Sequence, residues 1–324
     1  MYRKSSVSPL LAAMVLLIIA VFSVGCTELR SFPSEELADS ASEQQQVTVY
    51  YITRRGNYLV PINASVPKND NLHCSVVKKV LSGPQDPELK GALSSPFPPD
   101  VLLKYIYAKD GWVGVDLAGE TIKTMDPELL QRALSCLMFT LAELPDMHVD
   151  SIEMLIDGAS DNGMLLTHPI HINPIYDQHD DGFPVTVFFS YDDTCLVPVT
   201  IKLVPETTDV LKETLDRLVA GPRGIQYLSS VFPEGTRLLE YELNEGLINL
   251  NFSKEAVLLD RKGNISKEEQ SPSIGSLALT LRQFSGIERF QILIEGKPLI
   301  YKSLKVPRNY LDLENIAKAQ PEQG

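Results

Sequence analysis

The chain has 324 residues, 44% of them hydrophobic and 22% charged, an ordinary balance for a folded protein. Its net charge of −13 argues against nucleic acid as a partner and against polybasic docking on anionic lipid. Four cysteines, one of them close to the N-terminus, do not make a disulfide framework.

At the N-terminus, Arg3 and Lys4 precede an uncharged apolar run, Leu10 to Phe22, which ends in Ser23, Val24, Gly25 and Cys26. A basic start, an apolar run and a small-residue end make an export signal. The run is shorter than the roughly 20 apolar residues a spanning helix needs. "SVGC" is similar to a bacterial lipobox, in which the thiol of the residue after the cut receives a diacylglycerol. Ser23 stands at the position where that motif usually has Leu. Residues 1–25 are therefore expected to be a lipoprotein signal peptide and Cys26 the lipid-attachment site. The alternative is an ordinary secretory signal in which Cys26 is incidental. Losing Arg3 and Lys4 with the signal takes the net charge from −13 to −15. Residues 26–46 are rich in Ser, Glu, Gln and Ala, so they cannot bury enough apolar surface to offset the entropy of ordering. They are expected to form a flexible tether that holds the folded part clear of the membrane.

From Val47 onward the chain repeats itself. "VTVYYI" (Val47 to Ile52) matches "VTVFFS" (Val185 to Ser190), and "LVPI" (Leu59 to Ile62) matches "LVPV" (Leu196 to Val199). "VLSGP" (Val80 to Pro84) matches "LVAGP" (Leu218 to Pro222), and "FPPD" at Phe97 matches "FPEG" at Phe232. "DGWVGVDLAGE" at Asp110 matches "EGLINLNFSKE" at Glu245, "LMFTLAEL" at Leu137 matches "LALTLRQF" at Leu277, and "IEMLIDG" at Ile152 matches "FQILIEG" at Phe290. The order is identical, so the chain is a duplicated domain.

Each block predicts an element. The β-branched and aromatic runs at Val47 and Val185 read as strands. Pro61 and Pro198 cannot donate to a ladder, which places the second strand of each copy at a sheet edge or bulge. Leu72, Val76, Val77 and Val80 make one helical face, as do Leu211, Leu215, Leu218 and Val219, with Thr208 or Asp209 capping the latter helix. Gly83 and Gly221 are expected to take the left-handed conformation that closes a helix, and Pro84 and Pro222 cannot continue it. Asp110-Gly111 and Glu245-Gly246 read as hairpin turns. A second helix opens at Asp126-Pro127 and at Ser271-Pro272, and a strand closes each copy. The order per copy is β-β-α-β-β-α-β, and the fold class is α+β, with helices on one face of a sheet in each of two repeats of about 115 residues. The domains are expected at 47–160 and 183–301, with a linker at 161–182 and a C-terminal tail at 302–324.

Enzyme signals are scarce: the chain has no G-x-S-x-G elbow, phosphate loop, C-x-x-C or H-E-x-x-H. The segment between the copies holds His168, His171, Asp177, His179, Asp180 and Asp181, residue types that zinc accepts. Its prolines and its position between the repeats favour a solvated connector. Cys74 and Cys136 lie in helical patterns of one repeat, either as a pair or as two buried thiols. Asp110 with Asp116 is the candidate carboxylate pair of a cell-wall hydrolase, although Asp116 becomes Asn251 in the second copy. No cofactor is expected.

An export lipobox followed by two copies of a GP-stopped helix, a "GVDLA" or "NLNFS" strand end and a Leu-Thr-Leu helix leading into "LIDG" or "LIEG" resembles the GerM sporulation and germination lipoproteins, built from two GerMN domains. The resemblance covers residues 47–160 and 183–301. It implies a fold close to the ring-building motif of secretion machines. It also implies a lipid-anchored, extracytoplasmic, non-catalytic scaffold between mother cell and forespore, with the protein partners of a sporulation channel complex and no nucleic acid. The alternatives are an extracytoplasmic cell-wall-active enzyme or a small-ligand receptor. For a scaffold, the polar sides of the second helices, near Arg132 and Arg282, are the candidate contact surfaces.

Overall fold

The computed structural model describes residues 30–33, 43–160, 164–168, 170–175, 182–257, 271–299 and 303–312. In the first copy, β2 (Gln44–Thr53) and β3 (Leu59–Pro67) form an antiparallel hairpin, with Pro61 opposite Tyr50. Helix α1 (Leu72–Ser82) follows, then a short helix α2 (Pro87–Ala92) capped by Asp86, and the two-residue strand β4 (Leu93–Ser94) beside β2. Strands β5 (Leu102–Lys109) and β6 (Trp112–Ala118) are antiparallel. Helix α3 (Pro127–Ala142) crosses over to β7 (Ser151–Ile156), which lies parallel to β6. The second copy repeats this with β9 (Phe183–Tyr191), β10 (Cys195–Leu203), α4 (Val210–Ala220), β11 (Leu238–Asn244), β12 (Leu247–Phe252), α5 (Ser271–Leu281) and β13 (Arg289–Ile294).

Local chemistry accounts for these elements. Asp126 accepts from the N–H groups of Glu128 and Leu129, and Pro127 sits where a helix has no use for a donor. Asp209 accepts from Lys212 N in α4. The Asp110-Gly111 and Glu245-Gly246 turns have positive φ at both residues, the mirror-image geometry that suits two-residue hairpins. Strand alternation then divides the faces: Val113, Val115 and Leu117 in β6, and Ile248, Leu250 and Phe252 in β12, are completely buried. With Val76, Val77 and Val80 of α1 and Leu134, Leu137 and Leu141 of α3 they belong to one continuous apolar core that runs through both copies. Each such side chain contributes about 1.5–3 kcal/mol by leaving water.

The structure departs from the sequence reading in three places. First, the strands of a copy do not form one sheet. The hairpin is separate from the β5-β6-β7 sheet, and helices α1 and α3 pack against both. Second, Arg30–Pro33, expected within the tether, forms β1, antiparallel to β5. Third, each copy extends further than its quoted blocks. β8 (Leu165–Thr167), expected in the linker, and β15 (Leu304–Lys305), expected in the tail, close the two sheets at equivalent places. Leu166 faces Ile152 as Leu304 faces Phe290. His168 N donates to Asp150 O as Val306 N donates to Glu288 O, at 2.9 and 2.8 Å. A two-residue strand, β14 (Lys297–Pro298), also pairs with β13. The proline-bearing strands β3 and β10 do sit at sheet edges.

Candidate interaction surfaces

Both helix stops share one geometry. Gly83 has φ 70° and ψ 178°, and Gly221 has φ 76° and ψ −179°. The expected left-handed helical conformation has ψ of about 47°. Positive φ with extended ψ is a region open essentially to glycine alone, so the stop is more selective than anticipated. Each N–H still reaches back, to Val80 O and Leu218 O, at 3.2 Å. Pro84 and Pro222 lie just past the last helical turns, which end at Ser82 and Ala220. A Cβ on Gly83 would meet Ser95 N at 3.3 Å, and one on Gly221 would meet Ser230 Cβ at 3.1 Å. Those serines accept from Phe97 N and Phe232 N at 3.1 Å, so the "GP" stop and the "SSPFP" or "SSVFP" turn lock together. The serine match was legible in the sequence and is a signal beyond the blocks compared above.

The carboxylate pair does not exist as a pair. Asp110 is in the hairpin turn and Asp116 lies six residues along β6; at about 3.3 Å per residue they are roughly 20 Å apart. Paired acids of glycoside hydrolases stand about 5–9.5 Å apart. Asp116 is 3% exposed and its Oδ1 accepts from Gly158 N at 2.8 Å. Asn251 Oδ1 accepts from Gly296 N at the same distance. The Asp-to-Asn change between copies thus preserves an acceptor that pins the turn after the closing strand. Of the linker cluster, His168 and His171 are described, while Asp177, His179, Asp180 and Asp181 lie outside the described residues. Cys74 and Cys136 form no disulfide and are buried in different core clusters, and burial pushes both thiols up from their ordinary range. Cys195, outside any disulfide as well, is pushed up to about 12, first by burial and then by Asp192. Cys26 lies outside the described residues.

The linker is partly a clasp. Asn173, 5% exposed and at φ 43°, accepts from Leu59 N and donates to Leu59 O, both at 2.8 Å, and donates to Pro198 O at 2.7 Å. It therefore ties β3 to β10, the two proline-bearing edge strands. Ile172 O and Ile175 N add bonds to Thr200. Tyr310, from the expected tail, fills the same junction. Its ring lies 6.2 Å from Tyr50 and 6.3 Å from Phe188, which are equivalent positions of the two copies. The Arg282 guanidinium stacks on that ring at 4.7 Å. Arg132 donates to Asn57 O at 3.1 Å and pairs with Glu128. Arg132 and Arg282, which mark the candidate contact surfaces on the second helices, thus both have partners within the molecule. At the turns, Arg55 makes a forked bond to Asp192 at 2.8 and 2.9 Å, and Tyr58 donates to Gln226 O.

The model of the Germane family, described as sporulation and spore germination, matches residues 48–162 and again 186–300. The chain belongs to the Germane family. No curated protein matches it. Among solved structures, it is similar to the tandem GerMN domains of the sporulation protein GerM from Bacillus subtilis, at 19% identity and a TM-score of 0.57, over 79% of this chain and 92% of that one. It also matches the first GerMN domain of that protein, at 24% identity and a TM-score of 0.31, over 36% of this chain and 86% of that one. The tandem likeness supports the fold: two Germane domains in sequence.

The outward faces of the two Germane domains differ. In domain 1 the Trp112 ring covers Gly114, and its Nε1 donates to Glu153 at 3.2 Å. Tyr107 and the 42%-exposed Tyr105 continue this face, opposite Gly114 and Asp116, with ring centres 6.1 Å apart. In domain 2 the corresponding residues are Leu247, Asn249, Glu242 and Glu240. Beside β15 a cleft of about 1110 Å³ gathers Arg282, Arg289, Lys305 and Arg308 with Glu288 and Asp312. Asp312 accepts from Arg308 N at 3.1 Å. No group of three or more metal-ligating side chains occurs among the described residues.

Proposed function

We propose that this chain is a lipid-anchored extracytoplasmic scaffold that helps assemble or localise a sporulation or germination membrane complex between mother cell and forespore, without catalysis of its own. The observation that carries the reading is the double match to the Germane family, in a chain whose two domains share their packing and differ on their outward faces. One face is aromatic and the other is acidic, which suits two different protein partners. Cys26 after the apolar run supplies the anchor, and among the described residues no helix is long and apolar enough to cross a membrane. The carboxylates considered for hydrolysis are far apart, and Asp116 holds a turn, which weighs against the cell-wall enzyme.

A crosslinking pull-down from sporulating membranes tests the scaffold role: specific membrane-complex proteins are expected to co-purify. An intact complex in cells lacking the protein, or hydrolysis of peptidoglycan by the purified protein, would overturn it. Metabolic labelling with a palmitate analogue is expected to mark the wild type. Persistence of the label in Cys26→Ala would overturn Cys26 as the attachment site.

A further inference from the structure

Domain 1 carries a strand that domain 2 lacks among the described residues. β1 adds antiparallel to the outer edge of β5, with Pro33 opposite Tyr105, Phe32 opposite Ile106, Ser31 opposite Tyr107 and Arg30 opposite Ala108. The equivalent stretch of β11 is Glu240, Tyr241, Glu242 and Leu243, and β12 is its one described neighbour. The two edges are otherwise built alike. Each has a register shift at the same place, between Leu103 and Tyr105 or between Leu238 and Glu240. Each ends in the same two-residue turn. Such a turn makes the flanking pair, Asn244 with Leu247, the first hydrogen-bonded pair, and bonded and non-bonded pairs then alternate along the ladder. The N–H and C=O groups of Tyr241 and Leu243 therefore point away from β12, as those of Ile106 and Ala108 point to β1.

We propose that the outer edge of β11 is a docking site for an extended segment of a partner protein in which apolar and basic residues alternate, added antiparallel as β1 is added to β5. The chemistry follows from the two faces of the edge. On the open face stand Glu240 and Glu242, two like charges two residues apart, which oppose basic side chains favourably and acidic ones unfavourably. On the other face, Tyr241 is held by its hydroxyl to Asp209 at 3.0 Å, and Leu243 is 43% exposed; Leu239, at the register shift, is 47% exposed. An apolar side chain laid across Leu243 removes that surface from water, while the backbone supplies main-chain hydrogen bonds. A second copy fits poorly. Its β1 in the register seen on β5 would set Ser31 and Pro33 against Glu242 and Glu240, and would leave its own β5 uncovered. The site rests on the reading of this chain as a partner-binding scaffold and names one surface and one class of partner for it.

The test follows backbone amide exchange in the purified, soluble chain, with a synthetic peptide of about eight residues alternating lysine and valine as the probe. In the free protein the amides of Tyr241 and Leu243 are expected to exchange fast and those of Ile106 and Ala108 slowly. Saturating peptide should slow the first pair about tenfold or more, and a glutamate–valine peptide should not. Leu243→Pro removes an outward donor without removing a β11–β12 bond and should weaken binding roughly tenfold. If that variant does not fold, the same lysine–valine peptide N-methylated at alternate residues should fail to bind the wild type. Three outcomes overturn the site: slow exchange at Tyr241 and Leu243 without peptide at every concentration, slowing that appears only as protein concentration rises, or equal protection by the glutamate–valine peptide. In cells, a Leu243→Pro protein that keeps every partner sinks the edge site alone. A complex that survives complete loss of the protein sinks the scaffold reading instead.

Discussion

Domain 1 and domain 2 share one plan and differ mostly on the outside. Inside, Val113, Val115 and Leu117 are matched by Ile248, Leu250 and Phe252, all without exposure. Asp116 and Asn251 differ in charge but make the same bond, to Gly158 N and Gly296 N. Outside, Trp112, Tyr105 and Tyr107 of domain 1 stand where Leu247, Glu240 and Glu242 stand in domain 2, and β1 covers the edge of one sheet alone among the described residues. Packing and turn positions tolerate only changes that keep volume or acceptor, because a misfit in either is felt directly in stability. Solvent-facing positions carry no such constraint and can diverge toward different partners.

The largest effect is expected where the two domains are joined. Asn173→Ala leaves Leu59 N, Leu59 O and Pro198 O without their partner in a buried place, at a cost of about 3 kcal/mol. Calorimetry should then resolve two unfolding transitions where the wild type shows one. A single unchanged transition would mean that the clasp does not couple the domains.

The turn-pinning acceptors come next. Asp116→Ala should destabilise by about 2 kcal/mol, and Asp116→Asn, which imitates the second copy, by less than about 1 kcal/mol. Asn251→Ala, at a more solvated site, should cost less than Asp116→Ala in the same denaturant titration. Equal losses for Asp116→Asn and Asp116→Ala would show that charge, and not the acceptor, matters there.

Glu143 and Gln283 occupy equivalent positions. Gln283 bonds to Thr186 N and O, whereas Glu143 accepts from the Tyr50 hydroxyl at 3.4 Å. Burial raises the Glu143 carboxyl above its ordinary range, opposed by Arg282 and by the Tyr50 hydrogen bond. An acid with a raised folded pKa is most favourable when neutral, so stability falls as pH rises from the ordinary carboxylate range through the folded value. Glu143→Gln should flatten that fall and raise Tm at pH 7, as thermal melts across pH would show. A steeper fall in the variant would reverse the assignment.

The smallest effect is spectral. Trp112 is the one tryptophan of the chain, so its fluorescence reports on the outer face of domain 1 alone. Gly114→Ala places a Cβ 2.5 Å from its ring and must displace it, breaking the bond to Glu153. A red-shifted emission with little change in Tm is the expected result. An unshifted spectrum would mean that the ring does not rest on Gly114.

The sequence by itself determined the duplication, the order of elements, the "GP" helix stops, the Asp-Pro helix start and the paired hairpin turns. All are local signals, set by residues within a few positions of one another. It also placed Pro61 and Pro198 on edge strands, because a missing N–H excludes the sheet interior wherever the partner lies. Tertiary structure decided the rest. That Asp116 serves Gly158 and not Asp110, that Arg282 is spent on Tyr310, and that Asn173 joins two edges depend on contacts across 42, 28 and 114 residues. Likewise β1, four residues in a polar stretch, has no periodicity to announce it and exists only because β5 offers an edge. Short strands and clasps draw their stability from the surface that receives them, and that surface is assembled only when the chain has folded.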